Sequence, residues 1–156
     1  MKRLTILLIS GVLLFGAAAC DSARTSTNAP VSTQDNPEAP EAEEARQNKE
    51  DATDEVRRKQ LNSDIRANEE RNNAFNEGSA TDRDDDSIAS EVRSKLEANL
   101  PASALVVEAE DGTVSVGGTV PTQEQYDRIE TLAKEIKGVQ AVNVKVKVAP
   151  AKPEGS

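Results

Sequence analysis

The chain has 156 residues, of which 30% are charged and 2% are aromatic, and its formal net charge is −9. With so few aromatic residues, the chain cannot build a hydrophobic core that includes all 156 residues. We therefore expect one small domain joined to a long polar segment. The chain has no His and a single Cys. This excludes Ser-His-Asp and Cys-His catalytic sites and any disulfide within one chain.

The negative charge is concentrated in the N-terminal half. Residues 21–86 contain nine Arg and Lys against eighteen Asp and Glu, whereas residues 87–150 contain seven against nine. Nucleic-acid binding requires a clustered basic face, which this distribution does not supply. We therefore predict no nucleic-acid partner.

Residues 1–19 are predicted to be a signal peptide. A basic start is followed by an apolar stretch, Leu4–Phe15, and then by small residues up to Cys20. The apolar stretch is shorter than the roughly 20 residues that a membrane-spanning helix needs. Small residues directly before Cys resemble the lipobox of bacterial lipoprotein precursors. The resemblance implies that Cys20 becomes the first mature residue and carries acyl chains such as palmitate, which anchor the protein to a membrane.

One position departs from the lipobox pattern. Ala17 stands three residues before the Cys, where Leu is usual. Ordinary secretory cleavage, which would leave a secreted or periplasmic soluble protein, is therefore an alternative, and an uncleaved anchor is a third. Each of them places residues 21–156 in the cell envelope, facing the periplasm or the exterior. Asp21, directly after the Cys, favours the inner membrane in some Gram-negative bacteria.

Residues 20–80 are predicted to form an acidic, low-complexity tether. Residues 21–40 are rich in Ser, Thr, Asn and Pro, and they favour a flexible spacer because little apolar surface is available to offset the entropy of ordering. Residues 41–76 lack Gly and Pro and place opposite charges at helical spacing, as in Asp54 and Arg58. They favour a solvated, partly helical segment, with a partner-binding helix as the alternative.

The acidic run Asp82–Asp86 raises the question of a calcium site, because hard cations prefer carboxylate ligands. An EF-hand loop that began at Asp82 would need Gly and Glu where the chain has Ser87 and Arg93. We therefore predict no metal site. The acidic side chains are better explained by the partial positive charge at the N-terminus of the following helix.

Residues 81–149 contain the pattern of a folded domain. Apolar residues recur every four positions from Ile88 to Leu100, which predicts a first helix that Pro101 ends. A second helix is predicted after Pro121, with Thr122 and Gln125 at the spacing of a capping box. It carries a buried stripe from Ile129 to Ile136.

The predicted strands lie between and after these helices. An apolar run from Leu105 leads to Asp111-Gly112, a pair that favours a tight hairpin turn, and an alternating strand follows. Gly117-Gly118 suggests a bulge or a close backbone approach, and Gly138 ends the second helix. A last alternating strand contains Val142, Val144, Val146 and Val148.

The predicted fold class is therefore α+β, in the order α-β-β-α-β. A three-stranded sheet is covered on one face by the two helices. A right-handed crossover from the second strand to the third favours a mixed sheet, although a split arrangement would show the same pattern. The other face is expected to be in solvent, with the side chains of Glu108, Thr113, Ser115, Lys145 and Lys147. Residues 150–156 are predicted to be a disordered tail.

This segment resembles the BON domain, a module of bacterial envelope and secreted proteins. The resemblance lies in the pattern D-G-x-V-x-V-x-G-x-V at Asp111–Val120, in the helix after it, and in the valines that follow Gly138. It implies a non-catalytic protein without a cofactor that binds phospholipids or assists envelope proteins. The chain contains one such segment.

Two functions are consistent with these features. The first is an interaction or chaperone-like module near the membrane, which presents its sheet edges and polar sheet face to envelope proteins. The alternative is direct binding of phospholipid head groups, which would contribute to envelope integrity or stress protection. Its candidate contacts are Lys134, Lys137, Lys145 and Lys147, since a lysine near an anionic surface contributes about 1 kcal/mol.

Overall fold

The structure is a computed structural model, and it describes residues 23–153. The predicted signal peptide and the predicted lipidation site, Cys20, lie outside the described residues. The elements in chain order are β1 (Ala23–Arg24), α1 (Ala42–Thr53), α2 (Glu55–Phe75), α3 (Asp85–Asn99), β2 (Ala104–Glu110), β3 (Thr113–Val120), α4 (Gln123–Lys134) and β4 (Ala141–Val148).

The predicted order α-β-β-α-β is confirmed by α3, β2, β3, α4 and β4. The strands lie side by side in the order β1-β2-β3-β4. The β2–β3 pair is an antiparallel hairpin, whereas β4 runs parallel to β3 after the crossover through α4, so the sheet is mixed as predicted. The short strand β1, which the sequence did not indicate, adds an antiparallel fourth strand beside β2.

The main core lies between the sheet and the two helices α3 and α4. Alternate residues of the strands point into it, and the helices contribute their apolar stripes. Its fully buried members include Leu96, Leu105, Val116 and Ile129. The acidic run before α3 takes the place that the sequence predicted, because Asp84 caps the helix by accepting a hydrogen bond of 2.9 Å from the amide of Ser87.

Backbone geometry explains the glycines of the hairpin. Asp111 and Gly112 both have positive φ, at 48° and 75°, which is the conformation of a two-residue turn between twisted strands. Gly118 has φ of 117°, and a Cβ atom there would collide with the carbonyl oxygen of Ala104 on the neighbouring strand. The prediction that Gly138 ends the second helix is wrong, because α4 ends at Lys134 with Glu135 as its C-cap; Gly138, with φ of 96°, lies in the turn that leads to β4. The capping box at the start of α4 is only half formed: Thr122 accepts from the amide of Gln125, whose side chain donates instead to the carbonyl of Pro101.

The N-terminal segment differs from the predicted tether because it packs on the domain. The helical part of the prediction is present as α1 and α2, and α2 lies along α3. We call residues 23–36, for which a flexible spacer was predicted, the strap. Ala23 and Arg24 pair with β2 at the edge of the sheet, and Thr33 and Asn36 lie over the face opposite the helices. The predicted tail also makes contacts, since Lys152 binds the carbonyl of Pro40 through its backbone and Glu41 through its side chain.

Candidate functional site

The face of the sheet opposite the helices, which we call the outer face, carries the predicted polar residues. The pairing register places Glu108 beside Ser115 and Asn143, and it places Val106 beside Gly117 and Lys145. The expectation that this face is in solvent is wrong for its central part. Ala104, Val106 and Thr119 are buried there, on the face where Thr33 of the strap lies against Gly117 and Glu108.

Two threonines attach the strap to the strand β2. The backbone amide of Thr25 donates to the carbonyl of Leu105 at 2.9 Å, and its hydroxyl accepts from the amide of Leu105 at 2.9 Å. Thr33 donates to the carboxylate of Glu108 twice, from its amide at 3.1 Å and from its hydroxyl at 2.7 Å. The strap is therefore attached through its backbone and two hydroxyl groups. Large apolar side chains do not hold it.

The charge on Glu108 favours these contacts. Burial on its own would raise the pKa of this carboxyl, but hydrogen bonds from Thr33 and Ser32 and the positive charge of Lys145 outweigh it. The pKa of Glu108 therefore lies below its usual value. The ionised form that accepts from Thr33 is thus the form favoured by the folded protein.

Gly117 gives the strap room to approach the sheet. A Cβ atom at this position would lie 2.7 Å from the Cα of Thr33, and no real contact is that short. The side-chain-free backbone therefore forms a shallow floor on which a second backbone can lie. Ala29, a small residue of the strap, is also buried.

The edge of β4 is open, unlike the edge of β2. β4 has eight residues and stands at the end of the strand order, so within residues 23–153 no strand pairs with its outer side. The amide of Ala149 donates back to Val120 on β3. Because successive amides of a strand point in opposite directions, those of Val144 and Val148 point away from the sheet.

The four lysines proposed from the sequence as lipid contacts do not form one surface. Lys134 and Lys137 lie at the end of α4, in the helix layer, and Lys134 is paired with Glu130 at 2.5 Å. Lys145 and Lys147 lie on the opposite, outer face, where Lys147 donates to Asn36 of the strap. The structure therefore brings together only the second pair.

A second contact between the N-terminal segment and the domain lies between α2 and α3. Glu97 is 3% exposed and accepts from the guanidinium of Arg57 at 2.6 and 3.0 Å and from Arg93 at 3.1 Å. Leu61 of α2 is fully buried. α2 covers the side of α3 that carries Glu97, and the sequence did not indicate that this charged residue is buried.

Arg83 is the centre of a buried charge cluster at the same interface. Its side chain is 1% exposed, and it bridges the carboxylates of Glu91 at 2.6 Å and Glu69 at 2.9 Å. Burial raises the pKa of Glu91 to about 7, although Arg83 opposes this, and the neighbouring charge of Glu69 raises it further. One oxygen of Glu91 has no hydrogen-bond partner among the described residues.

One sequence signal does point to the covered outer face. Residues 104–107 are an uninterrupted apolar run, and such a run is typical of a strand that is buried on both faces. Alternation would be expected had the outer face been in solvent. No comparable local signal distinguishes the buried Glu91 and Glu97 from exposed helix residues.

The described residues contain no arrangement typical of a metal centre or a membrane span. Between residues 23 and 153, no group of three or more His, Cys, Asp or Glu side chains is placed to hold a metal ion. Within the same range, no helix combines the length and the apolar composition needed to cross a bilayer.

Comparison with known proteins agrees with the geometry of the domain. The family model of the BON domain matches residues 84–150, which contain α3, the hairpin, α4 and β4. Osmotically-inducible protein Y of Escherichia coli (strain K12) is 42% identical over 60 residues. That alignment covers 37% of this chain and 30% of the relative, so the chain matches less than a third of the relative's length. No solved structure matches.

Proposed function

The chain carries a BON domain over residues 84–150, and from that premise we propose that it is a non-catalytic bacterial envelope lipoprotein whose BON domain binds other envelope proteins as a chaperone-like module. The export signal and the small residues before Cys20 support the location and the lipid anchor. The name of the E. coli relative supports a role under osmotic stress.

The open edge of β4 is the observation that carries this function. An exposed strand edge presents a row of unpaired amides and carbonyls, to which an extended segment of another protein can add as a further strand. The outward amides of Val144 and Val148 belong to this row. Unfolded envelope proteins expose such segments, so binding at this edge would slow their aggregation.

The test is an aggregation assay with the full chain in detergent micelles. A urea-unfolded outer-membrane β-barrel protein is diluted into buffer, and its light scattering is recorded with and without the chain. The variant Val144→Pro/Val148→Pro removes two of the outward amides of β4, whereas the matched variant Val144→Thr/Val148→Thr keeps them and loses similar apolar surface. Circular dichroism checks that both remain folded.

We expect the threonine variant to slow aggregation as the unmodified chain does, and we expect the proline variant to lose most of this effect. Equal activity of the proline variant would show that the β4 edge is not used. An unmodified chain without effect on aggregation would overturn the chaperone-like function itself.

The alternative is direct docking on phospholipid head groups, and one observation favours it. Lys145 and Lys147 project from the same side of β4, and no carboxylate among the described residues forms an ion pair with either of them. Two neighbouring ammonium groups of this kind attract anionic lipid. The net charge of −9 on the whole chain opposes such binding.

A further inference from the structure

The strap is held by contacts that are well defined but few. Its regular pairing with β2 is limited to Ala23 and Arg24. Its other links to the sheet are the hydrogen bonds of Thr25 with Leu105, of Ser32 and Thr33 with Glu108, and of Asn36 with Lys147. Asn28 also accepts a hydrogen bond of 2.9 Å from Asn48 of α1. Its largest apolar residue, Val31, is 66% exposed. Segments with few buried apolar contacts open locally at a small fraction of the free energy of global unfolding.

The surface beneath the strap is nevertheless fully formed by the domain. Glu108 supplies a carboxylate, Gly117 supplies a floor without a side chain, and β2 supplies an unpaired edge once β1 is removed. Ala104 and Val106 would then be exposed as a small apolar patch between them. A sheet face of this composition remains suited to an extended chain after the strap has left.

We propose that the outer face and the β2 edge form a binding site for an extended, threonine-bearing segment of a partner protein, and that the strap occupies this site as an internal ligand. This inference rests on the proposed interaction function and adds a second, regulated site on the side opposite the β4 edge. A partner gains access to it only when the strap has detached.

The contacts of the strap define what such a partner must contain. Its backbone pairs with β2 beside Val106 and Val107, and a hydroxyl-bearing residue follows directly, as Thr25 does. Eight residues further on, a second hydroxyl-bearing residue meets Glu108 through its amide and its side chain. Between these two residues, a position of the partner that is buried as Ala29 is must carry a small side chain.

Competition between the strap and a partner is the measurable consequence. The apparent dissociation constant of a ligand equals its intrinsic value divided by the fraction of protein whose site is open. Weakening the strap raises that fraction and therefore tightens binding of the same segment when it is added as a separate molecule. A variant that damages the site itself has the opposite effect.

The probe is a fluorescent synthetic peptide with the sequence of residues 23–36, and binding to the full chain in micelles is measured by fluorescence anisotropy. The variant Thr25→Val/Thr33→Val removes the strap's hydroxyl contacts within the chain but leaves the peptide intact. We expect this variant to bind the peptide at least about tenfold more tightly than the unmodified chain does, which corresponds to the loss of about 1.4 kcal/mol of strap attachment.

Two further variants are made in the valine background to identify the site. Glu108→Ala removes the carboxylate that binds Thr33, and we expect it to weaken peptide binding at least about tenfold. Glu110→Ala is the matched control, because Glu110 lies on the same strand and the same face but is exposed. We expect it to bind the peptide as the background does, and circular dichroism confirms that each variant is folded.

Equal affinity of the unmodified chain and the valine variant would overturn the proposal, and so would equal loss from Glu108→Ala and Glu110→Ala. The peptide assay is independent of the β4 edge. Unchanged peptide binding by Val144→Pro/Val148→Pro, together with loss of its effect on aggregation, would show two separate sites. If the chain does not bind the peptide as expected but still slows aggregation, the strap site is overturned and the proposed function at the β4 edge is supported.

Discussion

The N-terminal segment covers the BON domain in two places, and the two covers are held by different interactions. On the helix side, α2 binds α3 through buried ion pairs around Arg83 and Glu97, with Leu61 fully buried between them. On the sheet side, the strap is held mainly by hydroxyl and amide hydrogen bonds to Leu105 and Glu108. Net hydrogen bonds contribute about 1 kcal/mol each, whereas loss of one partner from a buried ion pair costs about 3–5 kcal/mol.

This difference suggests a division of roles. Removal of α2 would take Arg57 away from Glu97 and Glu69 away from Arg83, and it would expose Leu61, so its detachment carries a large cost. Removal of the strap exposes only the carboxylate of Glu108 and a small apolar patch to solvent. We therefore expect α2 to be a permanent part of the folded unit and the strap to exchange.

The largest effect is expected from Arg83→Ala. It leaves Glu91 buried without its cation, so we expect the free energy of unfolding to fall by about 3–5 kcal/mol near pH 8. The loss should be smaller at pH 5.5, because a carboxyl group without a cation can be protonated instead. Urea denaturation measures both values.

Arg58→Ala is the control for this substitution. Arg58 lies on α2 and is exposed, so its removal should change the free energy of unfolding by less than about 0.5 kcal/mol. An Arg83→Ala protein as stable as Arg58→Ala would contradict the view that buried charge pairs fasten the helix side.

The second prediction concerns the pH dependence that Glu91 causes. Its pKa is about 7 in the folded protein against an ordinary value of 4.5, so the folded state binds the proton more tightly than the unfolded state. Its contribution to stability is therefore largest below pH 4.5, declines as the pH rises from 4.5 to 7, and is constant above that. Glu91→Gln should remove this decline from urea midpoints measured between pH 5 and pH 8.

Glu70→Gln tests whether that effect is specific. Glu70 lies on α2 and is exposed, so this variant should keep the pH dependence of the unmodified chain. If Glu70→Gln flattened the profile as much as Glu91→Gln, the decline would reflect the general negative charge. The buried cluster would not be its cause.

The third prediction addresses the sheet side. Gly117→Ala places a methyl group against the backbone of Thr33 and should displace the strap. We expect the free energy of unfolding to fall by only about 1–2 kcal/mol, since few contacts are lost. Hydrogen exchange should accelerate at Thr25 and Thr33 and remain unchanged in α2.

Ser115→Ala provides the comparison, because Ser115 lies on the same strand and face. It should leave exchange of the strap unchanged. Accelerated exchange in α2 as well as in the strap of Gly117→Ala would show that the two covers detach together, which contradicts the division of roles.

The sequence predicts the domain much better than it predicts its covers, and the reason is the range of the interactions. The helices and strands from Asp85 to Val148 follow from local patterns of apolar residues, glycine and proline. Arg57 and Glu97 are 40 positions apart, and Thr33 and Glu108 are 75 apart. Each of these residues is polar and has an ordinary local context, so no periodicity indicates that they meet.

The range of the interactions also explains how well the candidate sites could be predicted from the sequence. The sequence favours a mixed sheet but leaves the strand order open, so it does not predict that β4 forms the open edge. The four lysines were grouped by charge alone, and the alternation of β4 separates Lys145 and Lys147 from the helix-layer pair. The apolar run of residues 104–107 and the glycine pair Gly117-Gly118 were the local signs that the outer face is covered.

The smallest effect is expected for lipid binding, measured by co-sedimentation of residues 21–156 with anionic vesicles. We expect weak binding that disappears at high salt. Each lysine contributes at most about 1 kcal/mol of attraction to the anionic surface, and the net negative charge of the chain opposes it. Lys145→Gln/Lys147→Gln should abolish it. Lys134→Gln should retain it, because Lys134 is already paired with Glu130. Equal loss in both variants would show that total charge, not the outer face, determines binding.

Binding to anionic vesicles also bears on the strap, since Lys147 contacts Asn36. A vesicle that engages Lys147 competes with this contact, so lipid should accelerate hydrogen exchange at Thr33 if both use the outer face. Unchanged exchange in the presence of bound vesicles would separate the lipid contact from the covered surface. In that case the outer face would be a site for protein segments only, and the proposed lipid anchor would be the remaining membrane contact.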